Sequence, residues 1–180
     1  MSLEPVPEAP LRETEVGLAP GGDGWFVVNV AQAAGIHSDR FGASTRFERR
    51  PDVTFPEFGI NVRVLQPGQP ASLYHREDAQ EAFLVLSGEC VAIVEDQERT
   101  LRTGDLLYMP PGTAHVLVGA GDGPSSVLMV GTRKDPEELL YPVSEPAARY
   151  GASVERETSS AREAYGGTRA PRPASLELPW

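Results

Sequence analysis

Three histidines stand in the chain, His37, His75 and His115, and imidazole is the side chain best suited to proton transfer or metal ligation near neutral pH. His75 and His115 fall inside strand-like segments flanked by Gly and Pro turns, whereas His37 sits in a polar, Gly-bounded stretch and reads as a surface residue. Near His75 stand Glu77 and Glu81. Glu81 leads directly into the apolar Ala82-Phe83-Leu84, so a carboxylate turned inward there needs a partner. The lone cysteine, Cys90, lies in an apolar strand with no adjacent base or cation, and so reads as a small buried hydrophobe and not as a nucleophile. The run GAGDG at Gly119 to Gly123 has the glycines of a phosphate loop, but it joins two strands, precedes no helix and lacks the lysine.

The elements that must position these residues are short strands. With 180 residues the chain suffices for one domain with arms, and its 18 Gly and 17 Pro favour many turns over long helices. Residues 1–24 show neither period and predict a loose arm. Trp25 to Val30 predicts a lead-in strand and Ala31 to Gly35 a helical turn, with a polar, irregular stretch from Phe41 to Glu57. Ile60, Val62 and Val64 then alternate with Asn61, Arg63 and Leu65 as a half-buried strand ending at Pro67-Gly68.

Further strands are predicted at Leu73 to Glu77, around Phe83 to Leu86, and at Cys90 to Val94, with a hairpin tip at Glu95 to Arg99. Leu106 to Met109, His115 to Val118 and Val127 to Val130 follow, at the roughly ten-residue spacing of an antiparallel barrel or jelly roll. The continuous apolar runs call for cover on both faces, in a sandwich or at a subunit interface. Beyond Lys134, Ser144 to Gly151 has an N-cap, an early Pro and a terminal Gly, Ser160 to Tyr165 suits another helical turn, and the Pro-rich end is extended. The divisions expected are an N-terminal arm (1–24), a barrel (25–133) and a C-terminal extension (134–180).

The net charge of −10 disfavours nucleic acid and anionic lipid surfaces, and nothing after Lys134 resembles a helix-turn-helix. No apolar run approaches the roughly 18 residues of a membrane span. A single cysteine, with no basic start followed by an apolar run, leads us to expect a cytoplasmic protein.

Two segments, GQPASLYHREDAQEAFLVLSG from Gly68 to Gly88 and GDLLYMPPGTAHVLVG from Gly104 to Gly119, resemble the paired motifs of the cupin superfamily. The second motif fits at Gly104, Pro110, Gly112 and His115, with Gly119 where the family pattern ends in Asn. The first fits at Glu81 and Gly88. Its two-histidine positions fall either on His75 and Glu77, leaving Gly68 one residue early, or on Tyr74 and Arg76, which keeps the glycine spacing and loses both ligands. The first register is preferred, because strand alternation then turns His75 and Glu77 inward together and spares the interior an unpaired guanidinium from Arg76.

The resemblance implies an all-β fold, a double-stranded β-helix or jelly-roll barrel, with N-terminal arm and short C-terminal helices and tail. It also implies a divalent transition metal, Fe, Mn, Zn or Ni, held by His75, Glu81 and His115 with Glu77 as a possible fourth ligand. Two carboxylates would cancel the ion's charge, and a neutral site attracts anions less. Leu73, Phe83, Val85 and Leu117 share the inward parity of the ligands and are expected to wall a small-molecule pocket. Two function classes stay open: a metal-dependent enzyme, dioxygenase or isomerase or decarboxylase in type, and a non-catalytic small-molecule-binding module. Cupin resemblance further implies a homodimer, to which Trp25, Tyr141, Tyr150 and Trp180 add apolar anchors.

Overall fold

The computed structural model describes residues 5–49, 53–135 and 138–180. In chain order its elements begin with strands β1 (Leu11–Thr14), β2 (Gly17–Pro20), β3 (Ala34–Ser38), β4 (Gly42–Thr45) and β5 (Phe58–Leu65). The centre contains β6 (Arg76–Glu77), β7 (Glu81–Ser87), β8 (Glu89–Val94), β9 (Gln97–Arg102), β10 (Leu106–Met109), β11 (His115–Ala120) and β12 (Ser125–Thr132). The C-terminal part adds β13 (Leu139–Leu140), helices α1 (Glu145–Ala148) and α2 (Ala161–Ala164), and β14 (Arg172–Ser175).

Seven strands pair in the order β10-β7-β12-β5-β4-β3-β14, facing a smaller sheet of order β11-β8-β9, and every strand pair is antiparallel. This is the all-β double-stranded β-helix that the motifs imply. Between the sheets lies a core of Leu65, Phe83, Val85, Cys90, Ala92, Met109, Leu117, Val127 and Met129. Burial pushes the Cys90 thiol above its usual value, against the opposing hydrogen bond to Ser125 Oγ at 3.2 Å.

The apolar strands β8 and β11 are covered on both faces, as their composition requires. The cover is intramolecular: Ile93, Val116 and Val118 pack outward against Tyr74, Ala147 and Ala152, so α1 and the turn after it close the outer face of the small sheet. Ser144 caps α1 by accepting from the Ala147 N–H at 3.2 Å and donates to Asp96 Oδ1 at 2.6 Å, tying the helix to the β8–β9 hairpin tip. The double-sided apolar character of these strands therefore needs no partner subunit. Among the described residues no helix is long and apolar enough to cross a membrane.

Several local expectations are corrected. Within the arm, whose first four residues lie outside the described ones, β1 and β2 form a hairpin. Its turn is set by Gly17 at φ 135° and by Thr14, whose hydroxyl donates to the Gly17 carbonyl at 2.7 Å; backbone pairing, not apolar alternation, makes these strands. The lead-in strand at Trp25 reduces to one bridge between Trp25 and Glu8, and the helical turn is a 3-10 turn at Val30–Gln32 capped by Asn29. β4 occupies the stretch read as irregular, because small polar residues fit between β3 and β5: Thr45 is buried and its hydroxyl accepts the Val62 N–H at 2.8 Å. The extended C-terminal end pairs as β14 with β3.

Candidate metal centre

His75 stands just before β6 and exchanges two backbone hydrogen bonds with His115 at the start of β11, at 3.1 and 2.8 Å. Directly opposed residues of an antiparallel pair point to one face. The rings accordingly lie 4.8 Å apart between centroids. Glu81 opens β7 across the cavity and sends Oε2 to within 2.9 Å of His115 Nε2. Opposite Glu81 on β12 stands Gly131, where even a Cβ would come within 3.3 Å of the glutamate side chain, so a glycine leaves the carboxylate its room.

Both imidazoles are oriented from behind. His75 Nδ1 donates to the Leu73 carbonyl at 2.7 Å and His115 Nδ1 to the Thr113 carbonyl at 3.0 Å, since a carbonyl can only accept. With Nδ1 engaged by a carbonyl in both rings, Nε2 is the nitrogen each would offer to a metal, the arrangement in which backbone carbonyls fix ligand tautomer and ring direction. Ligand atoms of His75, Glu81 and His115 all lie within 4.8 Å of one another. Burial alone would raise the Glu81 pKa, but the His115 hydrogen bond and charge, then His75 and a hydrogen bond with Glu77, outweigh it and hold the carboxyl below its ordinary value. An anionic oxygen facing an imidazole lone pair at 2.9 Å requires a cation there, a proton or a metal, so the donor set fits a divalent first-row ion.

Glu77 lines the same cavity beside Glu81 but is not one of the three converging ligands. Its neighbours in sequence go elsewhere: Tyr74 is buried against the outer cluster and Arg76 is exposed, the geometry of the first register. The cavity, about 280 Å³, is walled by Phe83 and Leu117 among others, with the Phe83 ring edge-on to His115 at 5.6 Å.

Leu73 and Val85 are not part of that wall. Leu73 precedes the bridged residues, where the chain bends and strand alternation does not extend, and its side chain packs with Phe41 and Tyr141. Val85 keeps the inward parity but lies deeper, sealed in the core. The cavity instead recruits Asn61 and Arg63 of β5, Ser72, and Arg133 at the end of β12. A half-buried reading of β5 turns its polar face to solvent. Asn61 and Arg63 nonetheless share parity with Leu65, a core residue, and that was the available signal. The departure from the motif at Gly119 has a steric cause, since a Cβ there would meet the Gln66 carbonyl oxygen at 2.3 Å.

Residues 61–131 match the family model of the cupin domain. Among solved structures, a sugar phosphate isomerase of the cupin superfamily from Silicibacter pomeroyi is 31% identical, with 54% of this chain and 62% of that one covered and a TM-score of 0.47. The polyketide cyclase RemF from Streptomyces resistomycificus is 15% identical over 60% of this chain and 79% of its own, at a TM-score of 0.51, a likeness of fold. The DMSP lyase DddQ from Ruegeria pomeroyi is 22% identical, covering 53% and 48%, at a TM-score of 0.45. The chain thus spans less than two thirds of the isomerase and about half of the lyase. No curated protein matches it.

Proposed function

The chain belongs to the cupin superfamily, and from that premise we propose that it binds one divalent transition metal on His75, Glu81 and His115 and acts with it on a small organic molecule in the cavity. The observation that carries the reading is the pair of imidazoles, each oriented by a backbone carbonyl at Nδ1, converging with Glu81. Three ligands leave further positions open toward the cavity, which favours chemistry over a closed structural site. Iron would supply oxygenase chemistry, while zinc, manganese or nickel would supply Lewis-acid chemistry for isomerisation or decarboxylation. Glu77, hydrogen-bonded to Glu81 and facing the cavity, is our candidate to take up and return a proton. Phe83 and Leu117 exclude water and pack the substrate's apolar part.

We also propose a homodimer, supported by Leu106 and Tyr108, 65% and 58% exposed on the edge strand β10, and a cytoplasmic location, supported by the single unpaired, buried Cys90. Light scattering on the purified chain tests the first.

The metal reading is tested by calorimetric titration of chelator-treated protein with Mn²⁺, Zn²⁺, Ni²⁺ and, without oxygen, Fe²⁺. The wild-type chain should bind at one site. A His75→Ala, His115→Ala double variant should bind with an affinity lowered by more than the roughly 10–100-fold that loss of an outer partner costs. Equal binding by both proteins would refute the assignment. A wild-type chain that binds none of the four while retaining co-purified small molecules would make it a metal-free binding module.

A further inference from the structure

Two arginines line the cavity, and one of them, Arg63, has no ion pair among the described residues. Three strands of the large sheet run side by side, and their register sets out levels of depth. At the first level stand Glu81, Gly131 and Gly59, at the second Phe83, Met129 and Asn61, and at the third Val85, Val127 and Arg63. Val85 and Val127 are 1% and 0% exposed core residues. Arg63 is therefore rooted at the depth of the core, and its half-buried side chain lines the cavity.

That guanidinium is poorly satisfied. Among the described residues, one of its five N–H donors is used, from Nη1 to the Phe41 carbonyl at 2.9 Å, and Nε is buried with no hydrogen-bond partner. Its surroundings are also short of negative charge: among the described residues the titratable group that acts on it is the Tyr165 phenol and no carboxylate does, and burial depresses its pKa. The other arginine of the cavity differs. Arg133 forms a two-point pair with Glu48, at 2.8 and 2.7 Å, and also donates to the Phe55 carbonyl.

A guanidinium with a buried, unpartnered Nε and no carboxylate beside it among the described residues calls for a counter-charge. The charges of the cavity say of which sign. With a divalent ion on the imidazoles, even a fully ionised Glu77 and Glu81 do no more than cancel its charge, so Arg63 leaves the cavity at least one positive charge in excess.

Resting on the metal-site reading above, we propose that the molecule bound in this cavity carries an oxyanion group, a carboxylate or a phosphate, held by Arg63 at the bottom while the rest of the molecule reaches the rim formed by His75, Glu81 and His115. A guanidinium donates directionally to such groups, and a cavity of about 280 Å³ suits a small acid. The excess charge supplies the anion attraction that the neutral ligand set alone lacks.

The test is calorimetric titration of the full chain, metal-loaded and chelator-treated, with malonate, inorganic phosphate and the neutral analogue malonamide. Wild-type protein should bind malonate or phosphate, the stronger of the two identifying the group, and should not bind malonamide. Arg63→Met should weaken the anion at least about tenfold, the loss of one charged hydrogen-bonding partner, while Mn²⁺ affinity stays within about twofold. Malonamide binding as tightly as malonate to the wild type would overturn the proposal without recourse to any variant. So would anion binding that is unchanged in folded Arg63→Met protein, which would mean that the metal alone holds the acid. A chain that binds no metal yet binds malonate through Arg63 would refute the metal site and leave this inference standing.

Discussion

The two walls of the cavity change polarity in opposite directions. On β7 the inward residues run from Glu81 through Phe83 to Val85, from a carboxylate at the rim to a sealed aliphatic two steps down. On β5, at matching levels, they run from Gly59 through Asn61 to Arg63, from no side chain at the rim to a half-buried cation rooted beside the core. The first order is what folding alone produces, with the apolar group deepest. The second is its reverse, and stability gives no reason for it. The difference teaches that the β7 wall builds the barrel and carries a ligand at its lip, while the β5 wall is shaped by what the cavity receives.

The largest effect that separates the walls is on metal. Glu81→Gln should lower Mn²⁺ affinity by more than the roughly 10–100-fold typical of outer partners, with little change in melting temperature. Titration calorimetry beside a melting curve would show both.

At the third level the contrast is one of stability. Val85→Ala opens a void in a fully packed core and should cost roughly 1–3 kcal/mol in urea unfolding with metal content unchanged. Arg63→Met at the same level should be neutral or stabilising, because it exchanges a half-buried cation with an unpartnered Nε for an apolar chain of similar length. A destabilisation by Arg63→Met as large as that of Val85→Ala would make Arg63 an ordinary structural residue and erase the distinction.

The smallest effect lies on the outer side of the segment that carries His75. Burial holds the Tyr74 phenol above its usual pKa, opposed by the Asp96 N–H it accepts and reinforced by the Asp96 and Glu95 charges. The folded state therefore favours the neutral phenol. Its contribution to stability is complete below the ordinary tyrosine value, near about 10, and is lost as pH rises from there through the raised one. Tyr74→Phe should flatten the alkaline limb of a stability-against-pH curve and leave the acid limb unchanged.

The barrel was legible because its strands are apolar, evenly spaced and punctuated by turns. His75, Glu81 and His115 were legible because motif spacing and alternation agree on them. What escaped was set by neighbours remote in sequence. Leu73 obeys the parity of His75 on paper, but the chain bends there before pairing begins. The β1–β2 hairpin and β14 are held by backbone bonds and small residues, which leave no apolar period to read. Arg63 was the most informative omission: alternation alone cannot say which face of β5 meets the other sheet, and a charged residue defaults to solvent.

The central claim is that the rim of this cavity is a metal site, and metal content measured by mass spectrometry on untagged, gel-filtered protein tests it most directly. The account predicts about one first-row transition metal ion per chain, lost on substitution of His75 and His115 by alanine. Less than about a tenth of an ion per chain, persisting after incubation with each candidate metal, would contradict it.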